Sequence, residues 1–167
     1  MTDFISLFAA LNKGAVRYLV TGGIAVNLYG IERATADIDL FVGLDEKNLK
    51  KFISVAKELG LKPKVPVALD DFADKDKRDA WEREKNMMVF SLFDPKTPFF
   101  LLDVFIKEPL DFEKAYEARK VMKAGNVNIP VISLPDLIDM KKAADRPQDV
   151  ADVFYLSKIL KDWKDEK

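Results

Sequence analysis

The sequence predicts an α+β fold, a mixed β-sheet flanked by helices. Three observations predict it. Apolar β-type runs at 17–21, 36–42 and 99–106 alternate with stretches of helical periodicity. The runs 87–93 and 99–106 flank the turn sequence Asp94-Pro-Lys-Thr-Pro98, which predicts an antiparallel hairpin. A chain of 167 residues without repeats or a linker reads as one domain, 1–167, with 133–167 a helical portion packed on the rest.

The elements follow in order. Phe4, Phe8 and Leu11 share a helical stripe, Thr2 or Asp3 caps its start, and Asn12-Lys-Gly14 stops it. Residues 17–21 read as a strand, and Gly22-Gly23 turns the chain into a short helix over 24–29. Residues 31–35 connect to a strand over 36–42. Asp45 caps an amphipathic helix carrying Leu49, Phe52, Ile53, Ala56 and Leu59, and Gly60 ends it. Residues 61–69 read as a strand weakened by Pro63 and Pro66. The charged run 70–86 has little apolar periodicity and reads as a solvated face. After the hairpin, 112–119 reads as a short helix, and 127–132 as a strand that Pro130 places at an edge. Ser133 with Asp136 starts a helix reaching Ala144, and Pro147 opens a final helix to about Lys161.

Composition narrows the chemistry. Lys plus Arg number 27 against 28 Asp plus Glu, so a net charge of −1 announces no nucleic-acid partner. The chain has no Cys and no His. That removes disulfides, thiol nucleophiles, Ser-His catalysis and imidazole metal sites. Carboxylates, Lys, Arg, hydroxyls, backbone groups and a hard cation remain. No apolar run approaches the roughly 18 residues that span a membrane. The first residues carry no basic leader pattern, so the expectation is a cytoplasmic protein.

Asp37-Ile38-Asp39 is the most telling tripeptide. Side chains alternate along a strand, so the two carboxylates share a face while Ile38 and Leu40 take the other. Like charges that close repel, and a divalent cation is the simplest thing that favours them. Asp103 stands in the otherwise apolar run Phe99-Phe-Leu-Leu-Asp-Val-Phe-Ile106. A buried Asp needs an Arg, a backbone amide or a metal. Three aspartates without His suit Mg²⁺, and two such ions stabilise both oxygens of a phosphoryl or nucleotidyl transfer. Gly22-Gly23 is either a tight turn or a place where a phosphate meets backbone N–H groups, with Thr21 adding a hydroxyl.

Strand, Gly-Gly, short helix and then Asp-apolar-Asp resemble the nucleotidyltransferase superfamily related to DNA polymerase β. The stretch Val20-Thr-Gly-Gly-Ile-Ala, then Arg33-Ala-Thr35-Ala-Asp37-Ile-Asp39-Leu, is most similar to minimal members, including abortive-infection toxins of toxin–antitoxin systems. The separation between glycines and first Asp is slightly longer than that family's. The segment with Lys141, Arg146-Pro-Gln-Asp149 and Asp152 resembles a second motif of the group. The resemblance covers about 17–42, 99–106 and 133–156.

It implies a nucleotidyltransferase-like fold and Mg²⁺-dependent transfer of an NMP from an NTP such as ATP to a hydroxyl, with release of pyrophosphate. Asp37, Asp39 and Asp103 would be the catalytic metal ligands, for two ions. Thr21, Gly22, Gly23, Arg33, Thr35 and Lys141 would bind the nucleotide. RNA, a protein hydroxyl or a small molecule could be the acceptor, and an antitoxin a partner. The competing structural readings are a connector for Arg33 and Thr35, and ion pairing for Lys141, Arg146, Asp149 and Asp152. The competing functional reading is a non-catalytic nucleotide- or partner-binding module on the same fold.

Overall fold

A computed structural model describes residues 2–166. Asp3 accepts from the Ser6 amide at 2.7 Å and starts helix α1, Phe4–Lys13. Strand β1 (Tyr18–Thr21) runs directly into α2 (Gly22–Leu28), and β2 spans Asp37–Val42. The Asp45 side chain caps α3, Glu46–Glu58, which ends ahead of Gly60. Strand β3 is only Lys62–Pro63; a 3₁₀ turn (Leu69–Ala73) leads into α4 (Lys75–Lys85). Strands β4 (Val89–Phe93) and β5 (Leu101–Phe105) form the hairpin, followed by α5 (Phe112–Glu117). A second hairpin pairs β6 (Lys120–Ala124) with β7 (Val127–Val131). Two helices close the chain, α6 (Leu134–Ala144) and α7 (Pro147–Asp165).

The strands form one sheet of 7 in the order β3-β4-β5-β2-β1-β7-β6. It is mixed: β2 pairs in parallel with β5 and β1 with β7, whereas β1–β2, β3–β4, β4–β5 and β6–β7 are antiparallel. The alternation expected of the Asp-Ile-Asp strand holds. Ile38 and Leu40 are buried, as are Leu102, Val104, Phe90 and Leu92 of β5 and β4.

The charged run 70–86 is a correction. Its outer face is solvated, but Phe72, Arg78 and Trp81 are buried. Phe52, Phe72, Phe90 and Trp81 pack in succession, edge-on, tilted and stacked, with centroid separations of 5.8, 4.8 and 5.2 Å. This aromatic chain ties α3, the 3₁₀ turn and α4 to the apolar face of β4. Two buried aromatics among so many charges are too sparse to register as a 3.6 periodicity. Asp74, which accepts from the Asp76 and Lys77 amides, was the overlooked helix start.

Three boundaries also move. The expected strand over 61–69 shrinks to two residues, as its prolines require. Pro130 is not at an edge: β7 lies between β1 and β6, and β6 is a strand for which the sequence carries no reading. Strand β1 meets β7 only through Val20 and Val131, beyond the proline, so its missing N–H interrupts no bond to β1. The last helix continues past Lys161 to Asp165. No described helix is long and apolar enough to cross a membrane.

Candidate active site

The open face of the sheet carries one polar row. Thr21 lies opposite Asp39, Asp39 opposite Asp103, and Asp103 opposite Ser91. Residues paired directly across a sheet project to the same face. Four strands, β1, β2, β5 and β4, thus each place one polar side chain in a single line. Asp37 joins the row two residues before Asp39. Further along the same face Phe41 packs edge-on against Phe105 and Phe112, at 6.3 and 5.1 Å between centroids. Helix α5 therefore covers one end of this face and leaves the aspartate end open.

The carboxylates are only half buried, yet the electrostatics are strained. Burial, then the neighbouring Asp103 and Asp37, push Asp39 up from 3.8 to about 6. Burial also raises Asp103, against the hydrogen bond that Ser91 Oγ donates to its Oδ1 at 2.6 Å. No hydrogen bond engages the Asp39 carboxylate among the described residues, whereas Thr21 Oγ1 donates to its backbone oxygen at 3.2 Å. The described residues contain no preassembled cage of three acidic groups around a cation. The aspartates form an edge of acceptors, which suits an ion that takes its remaining ligands from phosphate and water.

Gly22 explains itself by contact. Its φ is +61°, and a Cβ there would stand 2.1 Å from Asp39 Oδ2. A Cβ on Gly23 would stand 2.5 Å from Thr35 Oγ1. The two glycines let the β1–α2 turn lie flat against the aspartate row on one side and the connector on the other. Thr35 is thus a wall of this turn, and its hydroxyl also approaches the Asp37 backbone oxygen at 3.4 Å.

The C-terminal helices present their polar set to the same region. Lys141 Nζ lies 3.2 Å from Asp149 Oδ1 and 3.0 Å from Asp152 Oδ2. Asp152 also pairs with Arg33. Arg146 Nε donates to Asp149 Oδ2 at 2.7 Å and the Arg146 amide donates to the same oxygen at 3.1 Å, so Asp149 holds both groups at the start of α7. Asp149, Asp152 and Lys141 are 1%, 4% and 6% exposed. Burial alone would raise Asp149, but Arg146 and Lys141 hold it below the usual carboxylate range. Lys141 and Arg146 also pull Asp39 down, so this cluster faces the aspartate row electrostatically. Ion pairing, one of the two alternatives for Lys141, describes its contacts, and Arg33, expected either to line the nucleotide pocket or to order the connector, pairs with Asp152 as well.

The structure thus gathers Thr21, Gly22, Gly23, Thr35, Asp37, Asp39 and Asp103 at one end of the sheet, with Arg33 and Lys141 tied behind them through Asp152. Ser91 was missed. Its signal was parity: in Val89-Phe-Ser-Leu-Phe93 it alternates with buried Phe90 and Leu92, and only the hairpin register brings it to Asp103.

A family model described as "Nucleotidyl transferase AbiEii toxin, Type IV TA system" matches residues 6–166. The chain belongs to the AbiEii nucleotidyltransferase toxin family. Solved nucleotidyltransferases share its fold. The lincosamide antibiotic adenylyltransferase LnuA, bound to lincomycin, aligns with a TM-score of 0.60 at 18% identity, over 92% of this chain and 93% of that one. The solution structure of the antibiotic-resistance factor ANT(2'')-Ia aligns with a TM-score of 0.56 at 15% identity, over 92% of this chain and 80% of that one. Its complex with adenylyl-2''-tobramycin gives 0.54 at 16% identity, over 90% and 82%. No curated protein sequence matches the chain. The AbiEii assignment makes the protein a nucleotidyltransferase with the mixed α+β sheet of that group.

Proposed function

We propose that this AbiEii-family enzyme is Mg²⁺-dependent and transfers an NMP from an NTP to a hydroxyl acceptor, as the toxin of a cytoplasmic toxin–antitoxin pair. One observation carries the reading. The β1–α2 glycine turn is packed directly onto the middle carboxylate of an aspartate row, so a phosphate held at the turn would reach Asp39.

The residues fit a divalent cation. Asp39 is half-buried beside two like charges, has no hydrogen-bond donor to its carboxylate among the described residues, and is pushed up to about 6. A cation relieves each of those penalties. Asp37, Asp39 and Asp103 would hold it, with two ions in all. When bound, Mg²⁺ would neutralise charge on the attacking and leaving oxygens.

The remaining work falls to the chain. Gly22 and Gly23 admit the phosphates without a side chain in the way, and Thr21 and Thr35 fix the turn. Lys141 and Arg33, held by Asp152, add positive potential behind the aspartates and favour the triphosphate. Ser91 occupies one oxygen of Asp103 and leaves the other for the acceptor hydroxyl. That hydroxyl's oxygen bonds to the α-phosphorus as the bond to the bridging oxygen breaks. Pyrophosphate leaves with the electron pair, and the acceptor proton passes to Asp103. Catalysis is positioning and charge neutralisation, without a covalent intermediate.

The test is incubation of the protein with each α-labelled NTP, Mg²⁺, cell extract and RNA. Wild type is expected to label a product, and Asp39→Asn to label none while remaining folded. Equal labelling by the two proteins refutes the assignment. Nucleotide binding in calorimetry without any labelled product would instead indicate a binding module. The chemical nature of the labelled species separates RNA, protein and small-molecule acceptors.

A further inference from the structure

The sheet order puts two different walls beside Asp39. On one side lie β1 and the glycine turn, assigned above to the nucleotide. On the other lie β5, β4 and the turn 94–100 that joins them. That second side holds a hollow of about 480 Å³ lined by Asp37, Lys64, Phe93, Pro98, Phe99 and Phe100, among others. Because Asp37 lines it, the hollow is continuous with the aspartate row.

Its outer wall is unusual in two ways. Phe99 is 93% exposed, the most exposed large apolar side chain described. Its φ is +72°, a conformation that disfavours any residue with a Cβ. A solvated ring on a strained backbone stabilises nothing in the fold. The turn beneath it is nevertheless fixed. Buried Asp94 accepts from the Thr2 amide at 3.0 Å, the Lys96 amide at 2.9 Å and Thr97 Oγ1 at 3.0 Å. The ring is therefore held out by a built turn. Phe4 and Ile5 of α1, partly exposed, extend the apolar surface through an adjoining hollow that shares Phe99.

Lys64 supplies the polar counterpart. It is exposed and has no salt-bridge partner among the described residues, and its charge is close enough to pull Asp103 down. Its amide donates to the Ser91 backbone oxygen at 2.9 Å, which anchors it beside the row.

We propose that this hollow is the acceptor subsite of the transfer reaction. Its ligand is a hydroxyl compound with a flat unsaturated ring and an anionic group, the ring lying on Phe99, the anion at Lys64 and the hydroxyl toward Asp37 and Asp103. The inference rests on the nucleotidyltransferase reading above. It makes Phe99 a specificity residue.

Phe99→Gly tests it sharply, because glycine tolerates the positive φ and the lost ring was not buried. Its Tm is expected to equal or exceed that of wild type. The first readout is fluorescence titration with anilinonaphthalene sulfonate, a flat anionic probe. Phe99→Gly is expected to weaken binding by about fivefold, the middle of the range for an aromatic contact, and Lys64→Ala by a similar factor through the lost charge. Phe154→Ala, in the other exposed apolar patch on α7, is expected to leave that change absent. The second readout is label transfer in extract, expected to fall about tenfold or more in Phe99→Gly with Mg²⁺–ATP affinity unchanged in calorimetry. Unaltered label transfer by Phe99→Gly, or unaltered probe binding by both variants, overturns the subsite alone. Label transfer that survives Asp39→Asn, or is absent from wild type, overturns the proposed function and the subsite with it.

Discussion

Asp39→Asn is expected to make the protein more stable while removing its chemistry. The Asp39 carboxyl is pushed from 3.8 to about 6 by burial, Asp103 and Asp37. A raised carboxyl means that the folded state binds its proton more tightly than the unfolded chain does. Below about pH 3 both states are protonated and nothing is lost. As pH rises toward 6 the unfolded chain ionises first, so stability falls, and above about 6 the loss is constant. A shift of about two units corresponds to roughly 3 kcal/mol, and the residual solvent contact of Asp39 reduces this to about 1–2 kcal/mol. Asparagine is nearly isosteric and carries no charge. No hydrogen bond to the Asp39 side chain is recorded among the described residues, so none is forfeited.

In EDTA at pH 8, Asp39→Asn should therefore unfold roughly 2–8 °C above wild type, given about 2–4 °C per kcal/mol at this size. At about pH 3 the two should coincide. Adding millimolar Mg²⁺ at pH 8 should raise the Tm of wild type and leave the variant unmoved, because the cation relieves the repulsion that asparagine has already removed. Thermal scans at both pH values with and without Mg²⁺ read all of this. A variant no more stable than wild type at pH 8 in EDTA would refute the electrostatic argument. A Tm of wild type indifferent to Mg²⁺ would refute the metal assignment.

Two further substitutions probe the walls of the same site. Gly22→Ala forces a Cβ to within 2.1 Å of Asp39 Oδ2 at a φ of +61°; it should cost about 1–2 kcal/mol in backbone strain and weaken Mg²⁺–nucleotide binding about tenfold or more. Chemical denaturation and calorimetry measure the two effects, and a variant that binds nucleotide like wild type would remove the turn from the site. Asp152→Asn leaves Lys141 and Arg33 facing each other with one carboxylate fewer in a buried cluster; a loss of about 3 kcal/mol is expected in urea unfolding, and a loss below about 0.5 kcal/mol would show that the pairs contribute no net stability.

The aspartate strand was legible from sequence because its information is local. Period-2 alternation sends Asp37 and Asp39 one way and Ile38 and Leu40 the other, whatever the rest of the chain does. Caps at Asp3, Asp45 and Ser133 were legible for the same reason, since each carboxylate or hydroxyl satisfies an amide three residues on. Helix α4 was not, because its stability comes from Phe72 and Trp81 packing on Phe90, a partner that lies later in the chain. Strand β6 was missed on similar grounds: mostly exposed Lys120-Val-Met-Lys-Ala124 becomes a strand by pairing with β7.

The sequence alone determined which atoms could do chemistry here. With no His or Cys, three aspartates and a Gly-Gly turn were what remained, and their types already pointed to a hard cation and a phosphate. Tertiary structure decided which of them meet. Parallel pairing of β2 with β5 brings Asp103 level with Asp39, and the β4 register adds Ser91 to the row. The C-terminal helices spend Lys141 and Arg33 on Asp149 and Asp152, and the 94–100 turn raises Phe99 beside Asp37. Strand pairing joins residues far apart in the chain through backbone hydrogen bonds that carry no side-chain signature. Register, and with it the shape of the site, therefore belongs to the fold.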